Sequence, residues 1–209
     1  MPGIQASLLT RLAWGNVFLH VVGLAVSWFW LRPGSLLVPL AERTSYLASQ
    51  GAVWGLGWGV WAACAVALVA FNAALVEPLG ERPFLPRLAL VLSVGGMAVD
   101  LVCDAVQIWL LPGLGGPLFQ SFERLAFAGG ATVANGLYTA SVALLSVRLS
   151  GQVPGRTLAA GWVTVAAGTA MAVSGILDSP QLLQVATGPT IVGYCLWVAL
   201  VAGDLTAKA

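Results

Sequence analysis

LALVLSVGGMAVDLVCDAVQIWLL, Leu88 to Leu111, is an apolar stretch broken by two charges, Asp100 and Asp104. A helix needs about 20 apolar residues to cross the ~30 Å hydrocarbon core of a bilayer. The stretch is therefore read as a transmembrane helix. An aspartate near mid-bilayer costs roughly 2.5–3.5 kcal/mol on insertion scales. Two of them on one helix must be protonated, paired, hydrated or bound to a cation. Ser93, Gly96, Asp100, Asp104 and Gln107 follow one another at spacings of three and four, which is one helical face. That face belongs in a bundle interior or against water, because lipid would leave the carboxylates unsolvated.

The same length criterion finds five more spans. The full set is 12–31, 52–76, 88–111, 125–147, 158–177 and 182–202. Turn chemistry separates them, as at Arg32-Pro33-Gly34, Glu77-Pro78-Leu79-Gly80 and Pro112-Gly113. Only 8% of the 209 residues are charged and 59% are hydrophobic. Mean hydropathy is +0.91. A soluble domain carries about 25% charged residues. The expected fold is all-α: a single polytopic domain, residues 1–209, forming a bundle of six transmembrane helices in a lipid bilayer. The first apolar stretch contains Asn16 and His20 and is long for a signal core, so it reads as a retained span. The connection Pro33–Gln50 has mixed polarity and is expected along the membrane interface.

Arg11, Arg82, Arg87, Arg148, Arg156 and Lys208 fall on one side of this topology, and Arg32, Arg43 and Arg124 on the other. The positive-inside rule then puts both termini in the cytoplasm, in a cytoplasmic (inner or plasma) membrane. Trp28, Trp30, Trp54 and Trp109 read as interfacial anchors. Trp58 and Trp61 lie deeper, facing lipid, packing or a cavity. Gly51, Gly55, Gly57 and Gly59 suit close helix approach. Gly57-Trp58 and Gly161-Trp162, at the starts of the second and fifth spans, hint at an inverted repeat.

Several chemistries are excluded. A net charge of +1 offers no basic patch for nucleic acid. The one lysine, Lys208, lies beyond the spans, so no retinal Schiff base forms. One histidine cannot supply bis-histidine haem ligation. Serine-hydrolase elbows, zinc-protease helices and phosphate loops are absent. Cys64, Cys103 and Cys195 suit neither a disulfide framework nor a zinc site, and read as small core residues.

What remains is a binding site built around the aspartates. Asn16 and His20 share a face of the first span, and Asn135 and Tyr138 sit in the fourth. By helical rise Asp100 lies roughly 20 Å from Arg87, near the depth expected for His20. The expected ligand residues are Asp100, Asp104, His20, Asn16, Asn135, Tyr138 and Gln107, with Asp100 and Asp104 as the possible ligands of a monovalent or divalent cation. Repulsion between two buried carboxylates also suits them to share a proton. Glu123-Arg124 reads as a solvated interfacial pair, Asp178 as a turn or cap residue, and Glu77 and Glu81 as solvated loop charges. Gly188-Pro189 is a point where the sixth span can break and free backbone carbonyls.

Gly96-x-x-x-Asp100-x-x-x-Asp104, preceded by Arg87, resembles the second half of the CDP-alcohol phosphatidyltransferase motif. That family consists of small six-span membrane enzymes whose carboxylates hold divalent cations. The family's first half needs two aspartates and a glycine, and this chain has Leu79, Arg82 and Pro83 at those places; Pro86 replaces an alanine.

Three functions fit the pattern. The leading one is a membrane transporter or channel-like protein that binds a proton, a cation or a small polar or lipidic molecule at the carboxylates. The second is a membrane-embedded enzyme acting on a lipid or isoprenoid, with Asp100 and Asp104 as metal ligands or acid and base. The third is a non-catalytic subunit held by a membrane-protein partner or by a second copy.

Overall fold

A computed structural model describes residues 3–80 and 83–208 of the chain. Glu81 and Arg82 lie outside the described residues. Six helices are long and apolar enough to cross a membrane: Gln5–Gly34, Leu40–Val76, Phe84–Gly113, Gly116–Leu149, Gly155–Ile176 and Pro180–Thr206. They are called the first to sixth spans below. Each extends beyond the minimal apolar window, because helical backbone bonds continue past the point where hydropathy falls. The fold is an all-α bundle of six such helices.

The second span is 37 residues long, about 55 Å by helical rise. Gln50 leaves helical geometry at φ −125°, ψ 26° and divides it. Most of the mixed-polarity connection thus forms a helical arm, Leu40–Gln50. Its Leu47 is 2% exposed, and the Tyr46 hydroxyl donates to Trp30 O at 2.6 Å. These contacts fold the arm back over the end of the first span.

The other turns follow their chemistry. Gly116 takes φ +57° at the start of the fourth span, a conformation open to glycine. Asp178 adopts φ 48° between the fifth and sixth spans, and the cap itself is Ser179, whose Oγ accepts from Leu182 N. The sixth span stays helical through Gly188-Pro189, the point where it could have broken.

Each span packs on the next in sequence, and the sixth returns to pack on the first. The six helices therefore close a ring. Small residues set its spacing on the side of the fourth, fifth and sixth spans. A Cβ on Gly168 would strike Thr139, one on Gly175 would strike Thr132, and one on Gly193 would lie 2.9 Å from Thr164 Oγ1. These threonines, polar by sequence, are packing knobs. In the second span, a Cβ on Gly57 would lie 2.5 Å from the Leu31 side chain and one on Gly55 would lie 3.5 Å from Ile108, while one on Gly51 or Gly59 would meet nothing. Trp162 is 47% exposed, whereas Trp58 faces inward, so the hinted repeat does not place the two tryptophans alike.

The ring is filled unevenly. At the end that holds Leu9 and Val201, a cluster including Leu75, Leu79, Leu145, Leu149, Trp197 and Val198 is fully buried. At the opposite end, Val26, Leu31, Leu47, Trp54, Leu111 and Phe119 form a smaller cluster. Outside, Phe18, Phe84, Trp109, Ile176 and Val185 are exposed, an apolar surface suited to lipid.

Candidate ligand site

Between the two apolar clusters the ring encloses a cavity of about 490 Å³, lined by all six spans. It reaches the end that carries Arg32 and Ser35, while the large cluster around Trp197 fills the other end. A more open hollow beside Pro83, Phe84, Arg87, Leu88 and Val91 is apolar apart from Arg87.

The third span supplies the polar wall. Asp100, Asp104 and Gln107 line the cavity together. Their shared face is the one expected from the spacing, but the same stripe divides along its length. Ser93 lies deeper, where Asn72 Nδ2 donates to Ser93 Oγ at 2.7 Å and to Ser141 Oγ at 3.1 Å. Gly96 lets the Tyr138 ring approach, since a Cβ there would lie 2.8 Å from it. That approach carries the Tyr138 hydroxyl to 3.4 Å from Asp100 Oδ2, a long hydrogen bond.

Asp104 is 3% exposed and Gln107 is 7% exposed. Neither Asp104 Oδ2 nor Gln107 Oε1 has a hydrogen-bond partner. Buried polar atoms of this kind are rare and call for an explanation such as a bound molecule or water. The ion pairs among the described residues are Arg43–Glu123, Arg124–Asp178 and Arg156–Asp204. None of them reaches Asp100 or Asp104.

The second span supplies an aromatic wall of Trp54, Trp58 and Trp61. Trp54 Nε1 donates to Gln107 O at 2.8 Å, and Trp61 Nε1 donates to Ser27 Oγ at 2.9 Å. Trp58 packs edge-on against Trp54 at 5.6 Å, with its Nε1 buried and unpartnered. Trp54 is 2% exposed, which corrects its sequence reading as an interfacial anchor. Trp28, Trp30 and Trp109 are exposed, in keeping with that role.

The first span places His20 at the cavity, 4% exposed, with Nδ1 2.9 Å from Asn16 O. A carbonyl only accepts, so Nδ1 carries the hydrogen and Nε2 is an acceptor in the neutral ring. His20 packs against the Tyr194 ring at 5.0 Å, tilted by 55°, and meets Trp61 edge-on at 6.3 Å. The first and third spans are not neighbours in the ring, so His20 and Asp100 face the cavity from different sides. Asn16 is 1% exposed and donates to the Tyr194 hydroxyl at 3.2 Å. It supports the lining without forming part of it. Asn135 lines the cavity, but its Nδ2 is spent on Gly130 O at 2.8 Å.

Three wide helical turns ring the cavity: Ser27–Leu31, Val106–Leu110 and Gly129–Ala134. They carry the lining residues Ser27, Trp28, Leu31, Gln107, Gly130 and Ala131. Such π turns recur at functional sites because they push side chains and carbonyls out of helical register. No sequence signal marked them.

Glu123 corrects another reading. It is 3% exposed and lines the cavity, and it accepts from Arg43 Nη2 at 2.8 Å. The solvated pair expected with Arg124 is replaced by this buried bond, while Arg124 pairs with Asp178. The arm Leu40–Gln50 brings Arg43 to Glu123, a juxtaposition across 80 residues of sequence.

Among the described residues, no group of three or more His, Cys, Asp or Glu side chains converges as a metal site. Leu79 is buried in the core, and Arg82 lies outside the described residues. Cys64, Cys103 and Cys195 are free thiols, the first two at the cavity. No family model, curated protein or solved structure matches the chain.

Proposed function

We propose that this protein is a carrier-type membrane protein that binds a small polar or cationic molecule in its central cavity and passes it across the bilayer. The observation that carries this reading is the buried, unpartnered pair Asp104 Oδ2 and Gln107 Oε1 on the wall of a cavity of about 490 Å³. Pockets of roughly 300–1,000 Å³ with a few convergent polar groups are characteristic of small-molecule sites. The uneven filling of the ring supports a carrier over an open channel, because a plug at one end is half of an alternating-access cycle. With the termini in the cytoplasm, as the Lys and Arg balance favours, the cavity faces outward.

The test uses proteoliposomes and the purified full chain. Small molecules that co-purify are identified by mass spectrometry, and proton flux is followed with an entrapped pH-sensitive dye. Asp100→Asn and Asp104→Asn are expected to deplete the co-purifying molecule and to slow its uptake or the proton flux. If both variants match the parent in every readout, the carboxylates are structural and the reading fails. Turnover of a lipid without net flux would replace it by the membrane-enzyme alternative.

A further inference from the structure

The geometry points to an organic ammonium ion as the ligand, its charged N–H head held by Asp100, Asp104 and Gln107 and its apolar body lying along Trp58 and Trp61. This rests on the cavity being a ligand site and adds the ligand's chemical class.

The first support is the imbalance of unmet polar groups. Asp104 Oδ2 and Gln107 Oε1 are unpartnered acceptors, and Asp100 has only the long contact from Tyr138. His20 Nε2 adds an acceptor across the cavity, since the ring donates through Nδ1. Against these stand two donors, Trp58 Nε1 on the tryptophan wall and the amide Nε2 of Gln107 itself, and neither carries charge. A ligand that satisfies such a wall brings several hydrogen-bond donors, and two carboxylates favour one that also brings positive charge. An ammonium group brings up to three together with the charge that two carboxylates attract.

The second support is the register of the two walls. Trp54 meets Gln107, Gly55 meets Ile108 and Asn72 meets Ser93 across the second and third spans. Antiparallel helices in that register set Trp58 level with Asp104 and Trp61 level with Asp100. Aromatic rings beside carboxylates form a recurrent cradle for alkylammonium ions, because the ring face attracts cations. A bare metal ion instead wants a close shell of oxygens at about 2.0–2.6 Å, which indole rings cannot supply. At the mouth, Arg32 stacks over Trp28 at 4.2 Å, so the basic side chain nearest the opening is held against a ring rather than against the aspartates.

The experiment is equilibrium dialysis of radiolabelled 2-phenylethylamine, tryptamine and hexylamine against the full chain in lipid nanodiscs, with empty nanodiscs as the blank. The corresponding alcohols, 2-phenylethanol, tryptophol and hexanol, are the neutral isosteres. At least one amine is expected to bind saturably, with its alcohol weaker by about tenfold or more. Asp104→Asn should weaken the amine by about tenfold and leave the alcohol within about twofold. Leu24→Trp, which fills the cavity from the first span, should abolish amine binding. If Asp104→Asn does not purify as a monodisperse species, Asp100→Asn and Leu24→Trp carry the test. Alcohols binding as tightly as amines, with Leu24→Trp abolishing both, would overturn the ammonium assignment and leave the cavity as a ligand site. No saturable binding by any of the six compounds would overturn the assignment. Proton flux and co-purifying molecules that also ignore Asp104→Asn would remove the underlying reading as well.

Discussion

Removing the Glu123 carboxylate tests whether the arm Leu40–Gln50 is clamped onto the ring. Arg43 Nη2 donates to Glu123 Oε2 and Nη1 donates to Val38 O, each at 2.8 Å. The two side chains are only 10% and 5% exposed. In Glu123→Ala the guanidinium keeps one backbone carbonyl and the Phe119 ring, 5.9 Å away. Breaking a buried pair by removing one partner costs about 3–5 kcal/mol, because a charge is left without compensation. Glu123 borders the cavity, so water there relieves part of the cost and about 3 kcal/mol is expected. For a chain of this length that corresponds to a fall of about 6–12 °C in Tm. The assay is thermal unfolding of the detergent-solubilised protein, followed by a thiol-reactive dye. The double variant Arg43→Met with Glu123→Leu removes both charges and fills the space, so it should recover to within about 1 kcal/mol of the parent. A Glu123→Ala Tm within about 1 °C of the parent would refute the clamp. So would a double variant no more stable than Glu123→Ala.

Other outcomes follow from the packing and the cavity. In the same unfolding assay, Gly161→Ala should lose about 1–3 kcal/mol, because its Cβ would strike Ser146 Oγ and lie 2.9 Å from the Trp197 ring, whereas Gly59→Ala meets nothing and should unfold like the parent. Asn72→Ala should cost about 1 kcal/mol, since it deletes two interhelical hydrogen bonds of a kind that average ~0.6 kcal/mol in membrane bundles. In single-cysteine variants, a small cationic methanethiosulfonate should modify Cys103, which lines the cavity, well before Cys195, which lies against Val17 O. Cys103 labelled no faster than Cys195, read by mass spectrometry, would count against a water-filled path to Cys103.

Part of the site is legible in the residue spacing alone. Asp100, Asp104 and Gln107 share a face because helical spacing admits no other arrangement. Spacing names a face but not the neighbour opposite, and the misread residues follow from that. Trp54 resembles an interfacial anchor because its depth suits one, yet Gln107 O lies across the groove to accept its N–H. Glu123 resembles a solvated charge because Arg124 is beside it, while its partner stands on an arm folded back over the ring. Nothing local distinguishes Asn72, and polarity alone does not show that Thr139 and Thr164, which border the cavity, and Thr132, which does not, also pack against glycines. Their partners are a serine pair and three glycines on other helices.

By itself, the sequence determined six apolar helices and one acidic face, because both depend on composition and on a period of 3.6 residues. Tertiary structure decided that the helices close into a ring, that one end is plugged and the other hollow, and that tryptophans stand level with the carboxylates. Those outcomes depend on how glycines, threonines and one buried ion pair fit across helices distant in sequence, and no local period encodes such fits.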